Sequence, residues 1–328
     1  MKAINQTFFN QNRINIGEMA PLSAPLCLTV GVSGRCNLRC IFCILSSEKD
    51  ETHVRDMMSF EVFKKMIDDA KNFQTKPKKL AFAGNGEPLM NKEIVKMIKY
   101  AHDTKMFQKI EIITNGVLLT PDLNLALIDA GLTNLTVSLE AIDDDTFERI
   151  SRVRVDVQNL TDTLRHFYEN KKQCNVYIKT VDIAVETPEK RQRFYDVYGT
   201  LCDYINIENI VELDGYDKNS TQFKNDVSIL NGKGIRQACT HMFKNLIVYS
   251  NGMISACCTH LSSEFIVGNI KTDSIVDVWF GEKLKTLQMN NLSGKKLRAC
   301  QNCNPANASP HDDIDAYAEE ILKRLELR

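Results

Sequence analysis

From Leu26 to Val211 six short apolar runs alternate with five amphipathic helical stretches, joined by turns rich in Gly, Asn or Ser. The runs are Leu26 to Val32, Lys79-Leu80-Ala81-Phe82-Ala83, Lys109 to Thr114, Leu135 to Leu139, Val176 to Ile183 and Tyr204 to Val211. Between them, Val62, Phe63, Met66, Ile67 and Ala70 form a helical stripe behind a Ser59 N-cap, and Pro121 to Ala130 is a helix stopped at Gly131. Further helices are expected over Ile94 to Ala101, Asn159 to Phe167 and Pro188 to Val197. Strands alternating with helices dictate a parallel sheet with right-handed crossovers. Periodicity alone fits a doubly wound sheet as well as a barrel.

The turn after the first strand carries the chemistry. Arg35-Cys36-Asn37-Leu38-Arg39-Cys40-Ile41-Phe42-Cys43 places three thiols within eight residues. Thiols so close do not pair comfortably with one another as disulfides, but they suit one face of a polynuclear iron–sulfur cluster. Three protein ligands leave one iron open to another molecule. A zinc site lacking its fourth ligand and three ordinary core cysteines are the plainer readings; zinc sites more often repeat two-thiol knuckles.

The rest of the composition narrows the class. Lys plus Arg is 41 and Asp plus Glu is 42, a net charge of −1, so nucleic acid and anionic membrane surfaces gain little electrostatic attraction. No apolar stretch approaches the roughly 20 residues of a membrane span, and the first residues lack a secretory signal. A cytoplasmic location is expected. There the 11 cysteines point to metal ligation in a reducing compartment.

At the cysteine loop the chain resembles the radical S-adenosylmethionine (SAM) superfamily, with Phe42 in the aromatic place before the last cysteine. The resemblance implies a partial (β/α)6 TIM-like barrel and a [4Fe-4S] cluster on Cys36, Cys40 and Cys43 whose open iron chelates SAM. Reductive cleavage of SAM would then give a 5′-deoxyadenosyl radical that abstracts a hydrogen atom from substrate. Gly84-Asn85-Gly86-Glu87-Pro88 is similar to the family's Gly-Gly-Glu-Pro motif, with Asn85 in place of a glycine. It assigns Gly84, Gly86, Glu87 and Pro88 to SAM, together with Asn115, Ser138 and either Arg152 or Arg154 for the methionine carboxylate.

A second cysteine set follows. Leu246 to Tyr249 and Met253 to Ala256 flank Asn251-Gly252, a strong hairpin signal that returns Cys257 towards Cys239. Cys300-Gln301-Asn302-Cys303 adds a knuckle, so Cys239, Cys257, Cys300 and Cys303 make a closed four-thiolate set, with a zinc ribbon as the other reading. This region resembles the SPASM auxiliary-cluster domain in its shortened twitch form, through the 17 residues between Cys239 and Cys257, Gly252 to Cys257, and Gly268-Asn269-Ile270 leading to Trp279. The resemblance implies a second, auxiliary [4Fe-4S] cluster in a small α+β domain.

The expected layout is an irregular arm over 1–25, the barrel over 26–213, a linker over 214–234, the auxiliary domain over 235–310 and a C-terminal amphipathic helix over 311–328. Cys27, Cys174 and Cys202 read as core thiols, and His241 and His260 flank the auxiliary cysteines. Cys258 is a spare thiol: a ligand in place of Cys257, a hydrogen-atom donor or an inert core residue. The expected activity is SAM-dependent dehydrogenation of a polar small molecule such as a sugar or aminocyclitol, with flavodoxin or ferredoxin as electron donor. Epimerisation with Cys258 as donor, maturation of a ribosomally made peptide, and a non-enzymatic redox sensor are the alternatives. With 35 residues before Cys36, the expectation favours a small substrate over a leader-bearing peptide.

Overall fold

In a computed structural model, residues 3–6, 15–46, 54–208, 238–257, 262–300 and 314–328 are described. Ten strands form one sheet: β1 Ile4–Asn5, β2 Cys27–Val30, β3 Lys79–Phe82, β4 Lys109–Thr114, β5 Asn134–Leu139, β6 Asn175–Val181, β7 Tyr204–Glu208, β8 Asn245–Val248, β9 Met253–Ser255 and β10 Ile266–Asn269. The helices are α1 Ile16–Met19, α2 Phe60–Ala70, α3 Ile94–Asp103, α4 Pro121–Asp129, α5 Asp144–Ser151, α6 Val157–Asn170, α7 Pro188–Tyr198, α8 His241–Lys244, α9 Ile275–Trp279, α10 Glu282–Leu292 and α11 Ala318–Glu326.

The sheet order is β1-β7-β6-β5-β4-β3-β2-β8-β9-β10. Strands β2 to β7 pair parallel with their sequence neighbours, and these are the six apolar runs read from the sequence. Five of the six crossover helices, α3 excepted, start at a side-chain cap. Ser59, Thr120, Asp143, Asp156 and Thr187 cap α2, α4, α5, α6 and α7 by accepting a backbone N–H of the first turn, and Pro121 and Pro188 open α4 and α7.

One edge of the barrel sheet continues into the C-terminal region. Strand β8 lies parallel to β2 in register, Cys27 opposite Asn245 through Val30 opposite Val248, and Gly31 donates its N–H to the Val248 carbonyl at 2.9 Å. The β8–β9 hairpin and β10 then run antiparallel. At the other edge β1 pairs parallel with β7.

Among the described residues of the arm over 1–25, several have defined partners. Ile4 and Asn5 close the β7 edge, and Asn15 caps α1 with its side chain while donating to the Tyr317 hydroxyl at 3.0 Å. The buried Trp279 Nε1 donates to the Leu22 carbonyl at 3.0 Å. Ile4, Asn5, Asn15 and Leu22 thus meet partners from the far end of the chain, which local pattern does not reveal. Ile321 and Leu325 bury the apolar face of α11, as the amphipathic spacing predicts. The linker over 214–234 lies outside the described residues.

Alternation along each strand sorts its side chains between two environments. Leu28, Val30, Leu80, Phe82, Ile110, Ile112, Leu135, Val137, Leu139, Val176, Ile178 and Ile205 join one apolar core beneath the helices. Phe63 of α2 stacks on Phe82 with ring centroids 5.6 Å apart. Burying each such side chain contributes roughly 1.5–3 kcal/mol. Residues of the other parity point into the barrel, where Thr29, Glu111, Thr136, Ser138, Lys179 and Asn206 are polar and Ala81, Ile113 and Val181 are apolar. At the N-terminal end of the strands Lys79 forms an ion pair with Glu111, and Thr136 donates to Glu111 at 2.9 Å, making a polar floor.

Candidate active site

The site is assembled at the C-terminal ends of β2 to β5. After β2 the chain turns through Ser33, whose hydroxyl donates to the Arg35 carbonyl at 2.8 Å and accepts the Arg35 N–H at 3.1 Å. The loop after β3 packs directly on this turn. Glu87 donates its N–H to the Arg35 carbonyl at 2.8 Å, and Gly86, at φ +85°, lies so close that a Cβ would overlap the carbonyl oxygens of Ser33 and Arg35. Glycine at this position follows from a left-handed backbone and a close approach, both of which exclude a side chain.

The cysteine loop is held mainly by backbone. Cys43 donates its N–H to the Cys40 carbonyl at 3.0 Å, and Leu38 donates to Cys36 Sγ at 3.4 Å. Arg39 and Ile41 donate their N–H groups to the Ser151 and Ile150 carbonyls, each at 2.9 Å, tying the loop to the end of α5. Arg39 also folds its guanidinium back onto the Cys36 and Leu38 carbonyls at 2.7 and 2.8 Å. Phe42 is half-buried against the main core.

Burial dominates the acidity of all three thiols. It raises Cys36, pushes Cys43 up to about 11 and raises Cys40 furthest, with the buried Glu140 and the neighbouring sulfurs adding to the Cys40 effect. Sulfur donors gathered where bare thiolates are disfavoured suit metal coordination, which deprotonates a thiol outright. Among the described residues, no three His, Cys, Asp or Glu side chains converge on a single metal position. A cluster distributes its thiolates over separate irons instead.

The neighbouring motif residues mostly serve this architecture. Glu87 is buried, and its carboxylate accepts from Leu89 N–H at 3.0 Å, Thr114 Oγ1 at 2.7 Å and Asn115 N–H at 2.9 Å. It therefore fastens the loop after β3 to the end of β4. Asn115 donates to Asn37 Oδ1 at 2.9 Å and points the same Nδ2 at Cys36 Sγ, 3.8 Å away. The buried Nδ2 of Asn85 has no hydrogen-bond partner among the described residues, which leaves a donor beside the loop for another molecule. Pro88 opens a 3-10 turn behind Glu87. Ser138 occupies an inward, half-buried position on β5. Arg152 is exposed in the left-handed position that ends α5, while Arg154 pairs on the surface with Glu148.

Sequence reasoning missed Glu140. It is buried at the end of β5, its pKa pushed up to about 7 by burial despite the Cys40 hydrogen bond and the Lys179 charge that oppose the shift. Its signal is parity: Asn134, Thr136, Ser138 and Glu140 alternate with the apolar Leu135, Val137 and Leu139.

In the C-terminal region the register continues to place Cys257 opposite Asn245, just beyond Cys239 and α8. Cys239 donates its N–H to Asn291 Oδ1 at 2.6 Å, and Cys257 donates its N–H to Ser255 Oγ at 3.1 Å. Cys300 ends a 3-10 turn. His241 Nδ1 lies 2.9 Å from Asn245 Nδ2. Cys258, His260 and Cys303 lie outside the described residues. Cys174 and Cys202 are buried core thiols, and Cys27 sits half-buried at 3.7 Å from Thr29 Oγ1.

The model of the radical SAM superfamily matches residues 30–197, and that of an iron–sulfur cluster-binding domain, SPASM, matches residues 239–304. The chain belongs to the radical SAM superfamily, and it carries a SPASM domain after the barrel. Its cofactors are accordingly a SAM-binding [4Fe-4S] cluster, SAM and auxiliary iron–sulfur.

Among curated relatives, a GTP 3′,8-cyclase of Desulforamulus reducens is 32% identical over 126 residues, 38% of each chain. One of Clostridium perfringens is 26% identical over 176 residues, 54% of this chain and 51% of that protein. The chain thus spans between 38% and 51% of the length of these two relatives. Among solved structures, BtrN in complex with AdoMet and 2-DOIA superposes with a TM-score of 0.58 at 17% identity, covering 89% of this chain and 98% of that one. Streptococcus suis SuiB bound to S-adenosylmethionine gives 0.64 at 18% identity, covering 93% and 79%. At these identities the likeness is one of fold. No helix among the described residues is long and apolar enough to cross a membrane.

Proposed function

We propose that this radical SAM enzyme dehydrogenates a polar small molecule, the reading favoured by its polar barrel interior. In this reading Cys36, Cys40 and Cys43 hold the SAM-binding cluster. Cys239, Cys257, Cys300 and Cys303 hold one auxiliary cluster of four irons. Bound there, the first cluster and SAM supply a radical able to remove a hydrogen atom, and the auxiliary cluster supplies an acceptor for the second electron that dehydrogenation releases.

The chain's own residues bind and orient. Gly84 and Gly86 take the left-handed backbone that shapes the loop after β3, with Gly86 packing it on the Ser33–Arg35 turn, and Asn85 Nδ2 offers its unpaired donor to the SAM carboxylate. Glu87 and Asn115 hold the loop and the cluster-bearing turn in one arrangement. Ser138 and Arg152 complete the carboxylate contacts. A flavodoxin or ferredoxin would serve as reductant.

The observation that carries the reading is the inward face of β5 to β7, where Ser138, Glu140, Lys179, Asn206 and Glu208 replace the branched apolar layers that fill complete barrels. Such a wall suits hydroxyl and amino groups. BtrN, a neighbour over almost its whole length, was solved in complex with AdoMet and 2-DOIA. Anaerobic incubation with SAM, dithionite and candidate polyols tests the proposal. Formation of 5′-deoxyadenosine together with a carbonyl product supports it; 5′-deoxyadenosine with a stereoinverted product assigns epimerisation instead.

A further inference from the structure

The chain leaves the sheet for the cysteine loop and comes back to it at one place. Beyond β2, Met58 donates its N–H to the Val32 carbonyl at 2.9 Å and Gly34 donates to the Asp56 carbonyl at 2.8 Å, with Ser33 bridged antiparallel to Met57. The limb that departs at Gly34 to supply Cys36, Cys40 and Cys43 therefore lies beside the limb that returns at Asp56. Across the base of both stands Asn91, buried in the loop after β3. Its Nδ2 donates to the Val32 carbonyl and to the Met58 carbonyl, each at 2.9 Å, one hydrogen to the outgoing limb and one to the returning limb.

The rest of this amide is engaged as well. Asn91 Oδ1 accepts the Glu93 N–H at 2.9 Å, and the Glu93 carboxylate accepts the N–H of Phe60, the first residue of α2, at 2.9 Å. Turning the amide over would set its oxygen against two carbonyls and its NH2 against an N–H, so its orientation is determined. Aspartate has the shape without the donors, and serine has a donor without the reach. Five residues earlier the same loop packs Gly86 on Ser33 and Arg35 and bonds the Glu87 N–H to the Arg35 carbonyl. One loop thus grips the cysteine turn at its start and again at the base of its two limbs. Reacting groups held about 1 Å out of place lose on the order of a hundredfold in rate, and a constellation is held that closely only when the groups behind it are themselves locked.

We propose that Asn91 is a positioning residue for the SAM-binding cluster: by clasping the outgoing and returning limbs it presets the cysteine loop opposite the turn from Gly84 to Pro88, and so sets where SAM lies against the cluster. The assignment rests on membership of the radical SAM superfamily and is independent of the dehydrogenase reading.

Asn91→Ser keeps an acceptor for the Glu93 N–H and gives up both clasping bonds. Asn124→Ser is its matched control, since Asn124 is also a buried asparagine whose Nδ2 donates to a carbonyl, that of Thr163 at 2.9 Å, but between the outer helices α4 and α6. Both variants should lower the thermal midpoint of the anaerobically reconstituted enzyme. Asn91→Ser should bind SAM about tenfold more weakly in calorimetric titration, the loss expected from one to two buried hydrogen bonds. The change that SAM induces in the electron paramagnetic resonance of its reduced cluster should also differ from that of wild type. Asn124→Ser should match wild type in SAM affinity and in spectrum. Wild-type affinity and spectrum in Asn91→Ser, or an equal loss in Asn124→Ser, overturns the proposal. Hydrogen exchange on the wild-type reconstituted enzyme adds a test that needs no variant. Before SAM is added, the amides of Gly34 and Met58 should already exchange about a hundredfold more slowly than those of a free peptide; protection that arises only with SAM would mean that the base is not preset and would equally overturn the assignment.

Discussion

The two cysteine sets are built on opposite plans. Cys36, Cys40 and Cys43 sit in one short loop, fixed by its own backbone hydrogen bonds and by two carbonyls at the end of α5. Cys239, Cys257 and Cys300 are far apart in sequence and rely on a hairpin, a helix and a 3-10 turn to be placed. A local loop states its geometry in its spacing. A dispersed set states it only through topology, so damage to the fold should reach the second set first.

Removing each set is the strongest way to probe this contrast. A Cys36→Ala/Cys40→Ala/Cys43→Ala variant should fall from about eight irons to about four and lose SAM cleavage altogether, as iron analysis and 5′-deoxyadenosine assay will show. About four irons in the wild type would remove the auxiliary cluster. Cys257→Ala should also lose about four irons, yet keep dithionite-driven 5′-deoxyadenosine formation while losing oxidised product. Abolished SAM cleavage in this variant would mean that the two sets are not independent.

Smaller effects sharpen the comparison. Gly86→Ala forces a side chain into a left-handed backbone and against Ser33 and Arg35, at a cost of about 2 kcal/mol. Its SAM affinity should drop while the auxiliary irons stay, read by calorimetry and iron content. Trp279→Phe removes the bond to the Leu22 carbonyl and should lower stability by about 1–2 kcal/mol in denaturant unfolding. Because Trp279 belongs to the C-terminal region, auxiliary iron should be lost at a lower denaturant concentration than the loop cluster; simultaneous loss would argue against the contrast.

Much of this architecture was legible in the sequence because it is local. The strand–turn–helix repeat, the Ser59 cap, the Pro121 start and the Asn251-Gly252 hairpin each depend on residues a few positions apart, and each is present. Helix α5 escaped notice, since Asp144 to Ser151 is mostly polar and its apolar face is reduced to Phe147 and Ile150. The pairing of β1 with β7 and of β2 with β8 joins segments some 200 residues apart, which periodicity cannot register. In the site, the cysteine spacing and the Gly-Glu-Pro turn were plain. The inward polar residues were not, because a charged residue in a strand looks ordinary until the face it occupies is known.

The pairing of β8 with β2 also bears on engineering. Residues 238 onward do not form a module that can be cut away, because the cut would strip β2 of its neighbour and leave a row of unpaired backbone groups ready to seek another chain. A chimera that borrows an auxiliary domain from a relative must therefore exchange β8 together with the β2 surface it meets, and its junction belongs before Asn245 rather than within the hairpin.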